Sequence, residues 1–148
     1  MTVSSYARPN SVQKVVDVEW LDVNTRLGEG FVSDLLPEIQ ALNNSLYNLF
    51  RCPIYSRGPI FQPEYGASLM HLLHEPADLI TANKIRMVLI QASQRWEPRI
   101  KVDVARTVVL PVPENAGFRA QVAYDVLATQ QKGAANFLLS KNGLTSST

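Results

Sequence analysis

The sequence predicts an α+β domain in which N-terminal helices pack on one face of a C-terminal antiparallel β-meander of about three strands. Three observations predict it. Apolar residues recur at helical spacing through the first part of the chain, and they alternate with other residues beyond position 100. The two alternating runs are separated by the turn segment PENAG, residues 113 to 117.

Residues 1 to 30 show no sustained period and carry Pro9, Gly28 and Gly30 among short apolar groups, so they read as an arm with room for one short strand. From Asp34 to Phe50, Leu35, Ile39, Leu42, Leu46 and Leu49 fall at spacings of four and three on one helical stripe. Asp34 serves as the expected N-cap, with Pro37 in the first turn. Residues 51 to 66 hold three prolines and two glycines and read as an ordered loop pinned to the core by Tyr55, Phe61 and Tyr65. A short helix from Ala67 to His74 follows and ends at Pro76. Thr81 is the expected cap of a longer helix to Trp96, with Ile85, Leu89, Ala92 and Trp96 on its inner face. Pro98 then drives Glu97 out of helical geometry.

Ile100, Val102, Val104, Val108, Leu110 and Val112 occupy even positions, which predicts one buried face of an extended stretch. Arg106 breaks the series, and a bulge, bend or edge is expected there. Phe118, Ala120, Val122, Tyr124 and Val126 alternate against Arg119, Gln121 and Asp125 as the second arm of a hairpin. A turn at Gln130 to Gly133 leads to a third strand, Ala135 to Ser140. The expected organisation is an arm over 1–30, one domain over 31–141 and a polar tail over 142–148.

A chain of 148 residues with 46% hydrophobic content can bury a core without metals or disulfides. Cys52 is the only cysteine, so no internal disulfide forms, and cytosolic folding is expected. With 14 basic and 13 acidic residues, no global field favours nucleic acid or an anionic membrane. No stretch approaches the roughly 18 apolar residues that span a bilayer, and the N-terminus lacks a signal-peptide core. Neither nucleic acid nor membrane is an expected partner.

His71 and His74 flank two leucines in HLLHE, but the zincin pattern HExxH would need histidine at 78, where Asp78 stands. No metal site is expected. Glu64, Glu75 and Glu97 could supply the paired carboxylates of a glycosidase. Each also suits a salt bridge or helix end, so no catalytic residue and no cofactor is assigned. A phosphate-binding glycine loop and a GxSxG elbow are absent from the sequence.

The run FQPEYGASLMHLLHEP, residues 61 to 76, and the helix ending RWEPRIKV, residues 95 to 102, resemble the GPW-like family of baseplate wedge proteins. That family serves contractile phage tails and, through a related subunit, type VI secretion baseplates. The resemblance spans residues 34 to 128 and is most specific at Glu97-Pro98-Arg99. It implies a structural, non-enzymatic component of the baseplate wedge that joins wedge subunits and offers the first sheath ring a platform for strand addition. Implied partners are other wedge proteins and the tail sheath protein, with six copies in the baseplate. Assembly in the host cytoplasm and a final place in the virion tail follow from the same resemblance.

As wedge-interface residues the resemblance implies Glu97, Pro98 and Arg99. It adds Leu35, Ile39, Leu42 and Leu46 of the first helix, packed with helices of a two-copy partner. The fork of Arg99 can grip a carboxylate on this chain or on a neighbour, and both readings stay open. Pro63, Tyr65 and Gly66 match a structural Pro-aromatic-Gly loop. Sheath contact is expected at a strand edge among residues 118 to 140, with Arg119, Gln121, Asp125, Asn136 and Leu138 as candidates. The sequence departs from the family at RCPIYSRGPI, where a Gly-Glu-Arg type element is common, and at His74, where an aromatic is frequent. The alternative function is a peptidoglycan hydrolase of the tail.

Overall fold

The computed structural model describes residues 21–23, 35–57 and 62–146. Two compact units divide the chain, 1–41 and 42–148. In the first, strands β1 (Leu21–Val23) and β2 (Leu35–Pro37) pair antiparallel, with Leu21 opposite Pro37 and Val23 opposite Leu35. Helix α1 therefore starts later than expected and spans Glu38–Arg51. Pro37 closes a strand instead of opening a helix, and Leu35 lies off the helical stripe. The physical reason is local: proline pushes the residue before it, Leu36, toward extended geometry. Asp34, the expected cap, lies outside the described residues, as does the expected arm apart from β1.

Helix α1 continues into the second unit, where Leu42, Leu46, Leu49 and Phe50 are buried. The helix expected at Ala67 to His74 contracts to one 3-10 turn, Leu72–His74. Helix α2 spans Leu79–Trp96 and is capped by Asp78, whose carboxylate accepts the Thr81 amide at 2.7 Å. Thr81 is thus inside the first turn instead of capping it, and its buried hydroxyl donates to Glu75 at 3.3 Å. Asp78 wins because a carboxylate at the helix start satisfies an orphan amide and meets the positive end of the helix dipole. Ile85, Leu89 and Ala92 face inward, and α2 lies against the sheet.

The sheet comprises β3 (Ile100–Val102), β4 (Val108–Val112), β5 (Gly117–Val126), β6 (Lys132–Ser140) and β7 (Gly143–Ser146), all antiparallel. Strand β5 is central. On one side it pairs with β3 and β4 end to end, on the other with β6, and β7 lies outside β6. There are more strands than expected for two reasons. The long extended stretch is broken into β3 and β4, and the expected polar tail supplies β7, whose Leu144 is buried.

The break changes which residues face the core. Val102 pairs with Tyr124 and Val108 with Gln121, so residues 103–107 stand opposite only Val122 and Ala123. An odd excess of residues reverses the alternation. Ile100 and Val102 are buried as expected, but beyond the bulge Thr107 and Val109 turn inward while Val108 and Leu110 turn outward. Val104 is exposed in the bulge itself.

Asp103 shapes the bulge by accepting the amides of Ala105 at 3.0 Å and Arg106 at 3.1 Å. Arg106 then links the Asp103 carboxylate to Asp125 on β5, while Arg86 of α2 donates to the carbonyls of Val104 and Thr107. Arg106 is therefore the clasp of the interruption that the sequence marks.

Phe118, Ala120, Val122, Tyr124 and Val126 of β5 are all buried, as are Ala135, Phe137 and Leu139 of β6. Phe50 meets Phe137 edge-on with ring centres 5.2 Å apart. Burying side chains of this size stabilises by roughly 1.5–3 kcal/mol each. Gly133 pairs with Tyr124, and a Cβ there would stand 2.5 Å from the phenol ring, so glycine makes room for the largest buried side chain.

Candidate functional site

The Glu97-Pro98-Arg99 corner is built where α2 ends. The Glu97 amide still bonds the Ser93 carbonyl at 3.0 Å, closing the helix, and Pro98 prevents its continuation. The chain turns directly into β3, and the Arg99 carbonyl accepts the Leu127 amide at 3.0 Å just beyond β5. This geometry buries Glu97 to 4% exposure while Pro98 stays exposed.

The Glu97 carboxylate accepts from Arg99 Nε at 2.6 Å and Arg99 Nη2 at 2.7 Å, and from the Ser45 hydroxyl of α1 at 2.6 Å. The Arg99 fork thus grips a carboxylate of its own chain in the bidentate geometry that favours this pair. Burial pushes the Glu97 pKa up, but the hydrogen bonds from Arg99 and Ser45, together with the Arg99 charge, hold it below the usual range. Next to this corner, the buried Tyr124 hydroxyl donates to Asn43 Oδ1 at 2.6 Å. Desolvation, with the Glu97 charge second, raises its pKa far above the ordinary tyrosine value. Asn43, Ser45 and Tyr124 are the members of this network that sequence reasoning missed.

The 51–66 loop closes on the same helix end. Tyr65 packs edge-on against Trp96 with ring centres 5.3 Å apart, and the Arg57 guanidinium lies 3.7 Å from the Tyr65 ring centre. Gly66 has φ +127°, and a Cβ would meet the Cys52 carbonyl oxygen at 2.3 Å, so only glycine fits where the chain passes Cys52, just beyond α1. The Pro63 carbonyl accepts the Tyr55 amide at 2.6 Å. Tyr55 itself is 72% exposed, which corrects its expected role as a core pin: its backbone, at φ 67°, serves the turn and its ring points outward. Phe61 lies outside the described residues.

The remaining interface candidates separate. Leu42 and Leu46 are fully enclosed, Ile39 is half-buried, and Leu35 belongs to β2. The enclosed leucines serve this chain's own core. Arg119, Gln121, Asn136 and Leu138 share the outer face of the sheet, with Arg119 opposite Leu138 and Gln121 opposite Asn136. Asp125 is held by Arg106. Residues 118–126 do not form an edge, because β5 is paired on both flanks. Within the expected range and among the described residues, the flank of β6 left open is Lys132–Asn136, which β7 does not reach.

His71 and His74 are exposed, and among the described residues no three metal-ligating side chains come together. Glu64, Glu75 and Glu97 each meet a cation: Arg95, Lys84 and Arg99. No described helix is long and apolar enough to cross a membrane.

Comparison with known proteins gives a consistent placement. No curated protein matches the chain. Among solved structures, a Geobacter sulfurreducens protein provisionally named a tail lysozyme superposes with TM-score 0.56 at 16% identity, over 67% of this chain and 86% of that one. At that identity the likeness shows the fold. The model of the family described as baseplate wedge protein gp25 matches residues 39–131, which include both helices, the Glu97 corner and the strands through β5. This chain belongs to the baseplate wedge protein gp25 family.

Proposed function

We propose that the chain is a structural, non-catalytic joint of the baseplate wedge that offers the first sheath ring a strand edge. The observation that carries the reading is the asymmetry of the sheet's two edges. On the β3/β4 side the 103–107 bulge and Pro111 obstruct an incoming strand. On the other side, β7 pairs only with Phe137–Ser140, leaving Lys132–Asn136, which pair with β5 on one flank, without a strand on the opposite flank among the described residues. No proline interrupts β6 or β7. A strand added along this edge gains main-chain hydrogen bonds, with side-chain alternation setting its register.

The Glu97 corner supports the wedge contact. It holds exposed Pro98 and the outer part of Arg99 on a base tied to both helices and β5, so a neighbouring subunit meets a preorganised surface. Six-fold placement then comes from surrounding wedges, and the isolated chain is expected to be monomeric or weakly self-associating in light scattering. A stable ring formed by the chain alone counts against this.

Two of the three candidate carboxylates do not suit the acid of a glycosidase. A glycosidase acid must hold its proton near neutrality, whereas Glu75 and Glu97 are shifted downward, Glu75 first by its hydrogen bond from Lys84. The hydrolase reading instead requires muralytic activity that disappears in Glu64→Gln, Glu75→Gln or Glu97→Gln.

The deciding experiment is amide hydrogen exchange on the full chain with and without the sheath protein of the same tail. Slower exchange at Lys132–Asn136 and Gly143–Ser146, with β5 unchanged, is the expected result. Protection confined to other surfaces refutes strand addition at this edge.

A further inference from the structure

The outer face of the sheet carries a second surface, apart from the Glu97 corner and sharing only Asn136 with the strand edge. The reversal of alternation at 103–107 turns Val108 and Leu110 outward, 42% and 53% exposed. They join two rows across β4, β5 and β6: Leu110, Arg119 and Leu138 in one, and Val108, Gln121 and Asn136 in the next. Five of these six side chains, all but Leu138, line a shallow groove of about 250 Å³.

The polar side chains of this groove are not paired within the chain. Arg86, Arg95, Arg99 and Arg106 are each engaged by carbonyls or carboxylates. Arg119 has no side-chain hydrogen bond or ion pair among the described residues, and the side-chain amides of Gln121 and Asn136 likewise make none. The acid further along the same face of β5, Asp125, is already held by Arg106. The groove therefore presents one uncompensated cation and two free side-chain amides beside an aliphatic wall formed by Val108 and Leu110 of β4. Exposed cations framed by apolar side chains gain most when a partner's carboxylate arrives together with apolar cover.

We propose that this face docks an amphipathic helix of a partner protein that carries one carboxylate within its apolar stripe. The rows lie two residues apart along the strands, about 6.7 Å, and successive i, i+4 positions of a helix rise about 6 Å, so one helix face meets both rows. An added strand does not suit the groove, because a sheet face offers side chains and no unpaired main-chain groups. The carboxylate is demanded by Arg119, and the apolar stripe by Val108, Leu110 and Leu138.

The test uses the isotope-labelled full chain and two synthetic helical peptides that differ at one position. Each has a leucine stripe interrupted once, by Glu in the first and by Lys in the second. Amide shifts confined to β4, β5 and β6, with the Glu peptide binding about tenfold more tightly, are the expected result. Arg119→Glu should reverse the order of the peptides, and Arg119→Gln should erase the difference between them. Equal affinities, an unchanged order in Arg119→Glu, shifts on another surface, or no binding at about 1 mM peptide each overturn the proposal. Neither sheath protein nor wedge subunit is present in this assay, so its failure leaves the hydrogen-exchange test of the strand edge intact.

Discussion

Replacing Glu97 with alanine removes the common acceptor of three short hydrogen bonds. The Ser45 hydroxyl and the Arg99 guanidinium remain at a corner where the carboxylate was 4% exposed. Breaking a buried ion pair by deleting one partner costs about 3–5 kcal/mol. The Arg99 side chain retains 35% exposure, so water recovers part of that loss and the expected cost falls to about 2–3 kcal/mol. For a folded unit near this size each kcal/mol moves the Tm by about 4 °C, which gives a decrease of about 8–12 °C. Urea unfolding of wild type, Glu97→Ala, Arg99→Ala and the double variant measures the coupling, expected at about 1 kcal/mol or more. Additive single effects, or a Glu97→Ala cost below about 0.5 kcal/mol, would refute the reasoning.

The same corner makes a signed pH prediction. The folded-state pKa of Glu97 lies below its unfolded value, so between the two the unfolded chain binds more protons. Its stabilisation is complete above the unfolded value, about 4.3, and is lost as pH falls below that toward the folded value. Glu97→Gln should therefore lose less stability than wild type on acidification through this window, as read by urea midpoints.

Gly66→Ala forces a side chain into the Cys52 carbonyl at a left-handed backbone position and should cost about 2 kcal/mol or more, seen as a lower urea midpoint. Leu110→Ser should stay within about 0.5 kcal/mol of wild type while Val109→Ser costs about 2 kcal/mol or more; the opposite ranking would restore the unbroken alternation. Asp78→Ala should lose about 1 kcal/mol, whereas Thr81→Ala should leave the helix start intact, which exchange of the α2 first-turn amides resolves.

The fold class was legible because both periodicities are sustained: the stripe from Leu42 to Leu49 and the alternation from Phe118 to Val126 each bury what they imply. What escaped depends on single residues or distant ones. Extended geometry before Pro37 competed with an otherwise good helical stripe, and Asp78 and Thr81 are both ordinary cap residues. The bulge was marked by Arg106, but its length, which decides the parity of β4, depends on pairing with β5. Strand β7 is too short and polar to announce itself. At the Glu97 corner, opposite charges two residues apart suggested an ion pair, whereas Ser45 and the neighbouring Asn43–Tyr124 contact bridge 52 and 81 residues of sequence. No local pattern contains such a bond.

The layout of the sheet also sets its response to force. Strand β6 pairs with β5 from Phe118–Leu139 through Asp125–Lys132. Tension applied lengthwise to β6 loads these pairings in shear, side by side, so they yield together or not at all. The same tension applied crosswise at one end of the hairpin would peel them apart one after another. The mechanical strength of this subunit is thus directional, greatest along its longest strands.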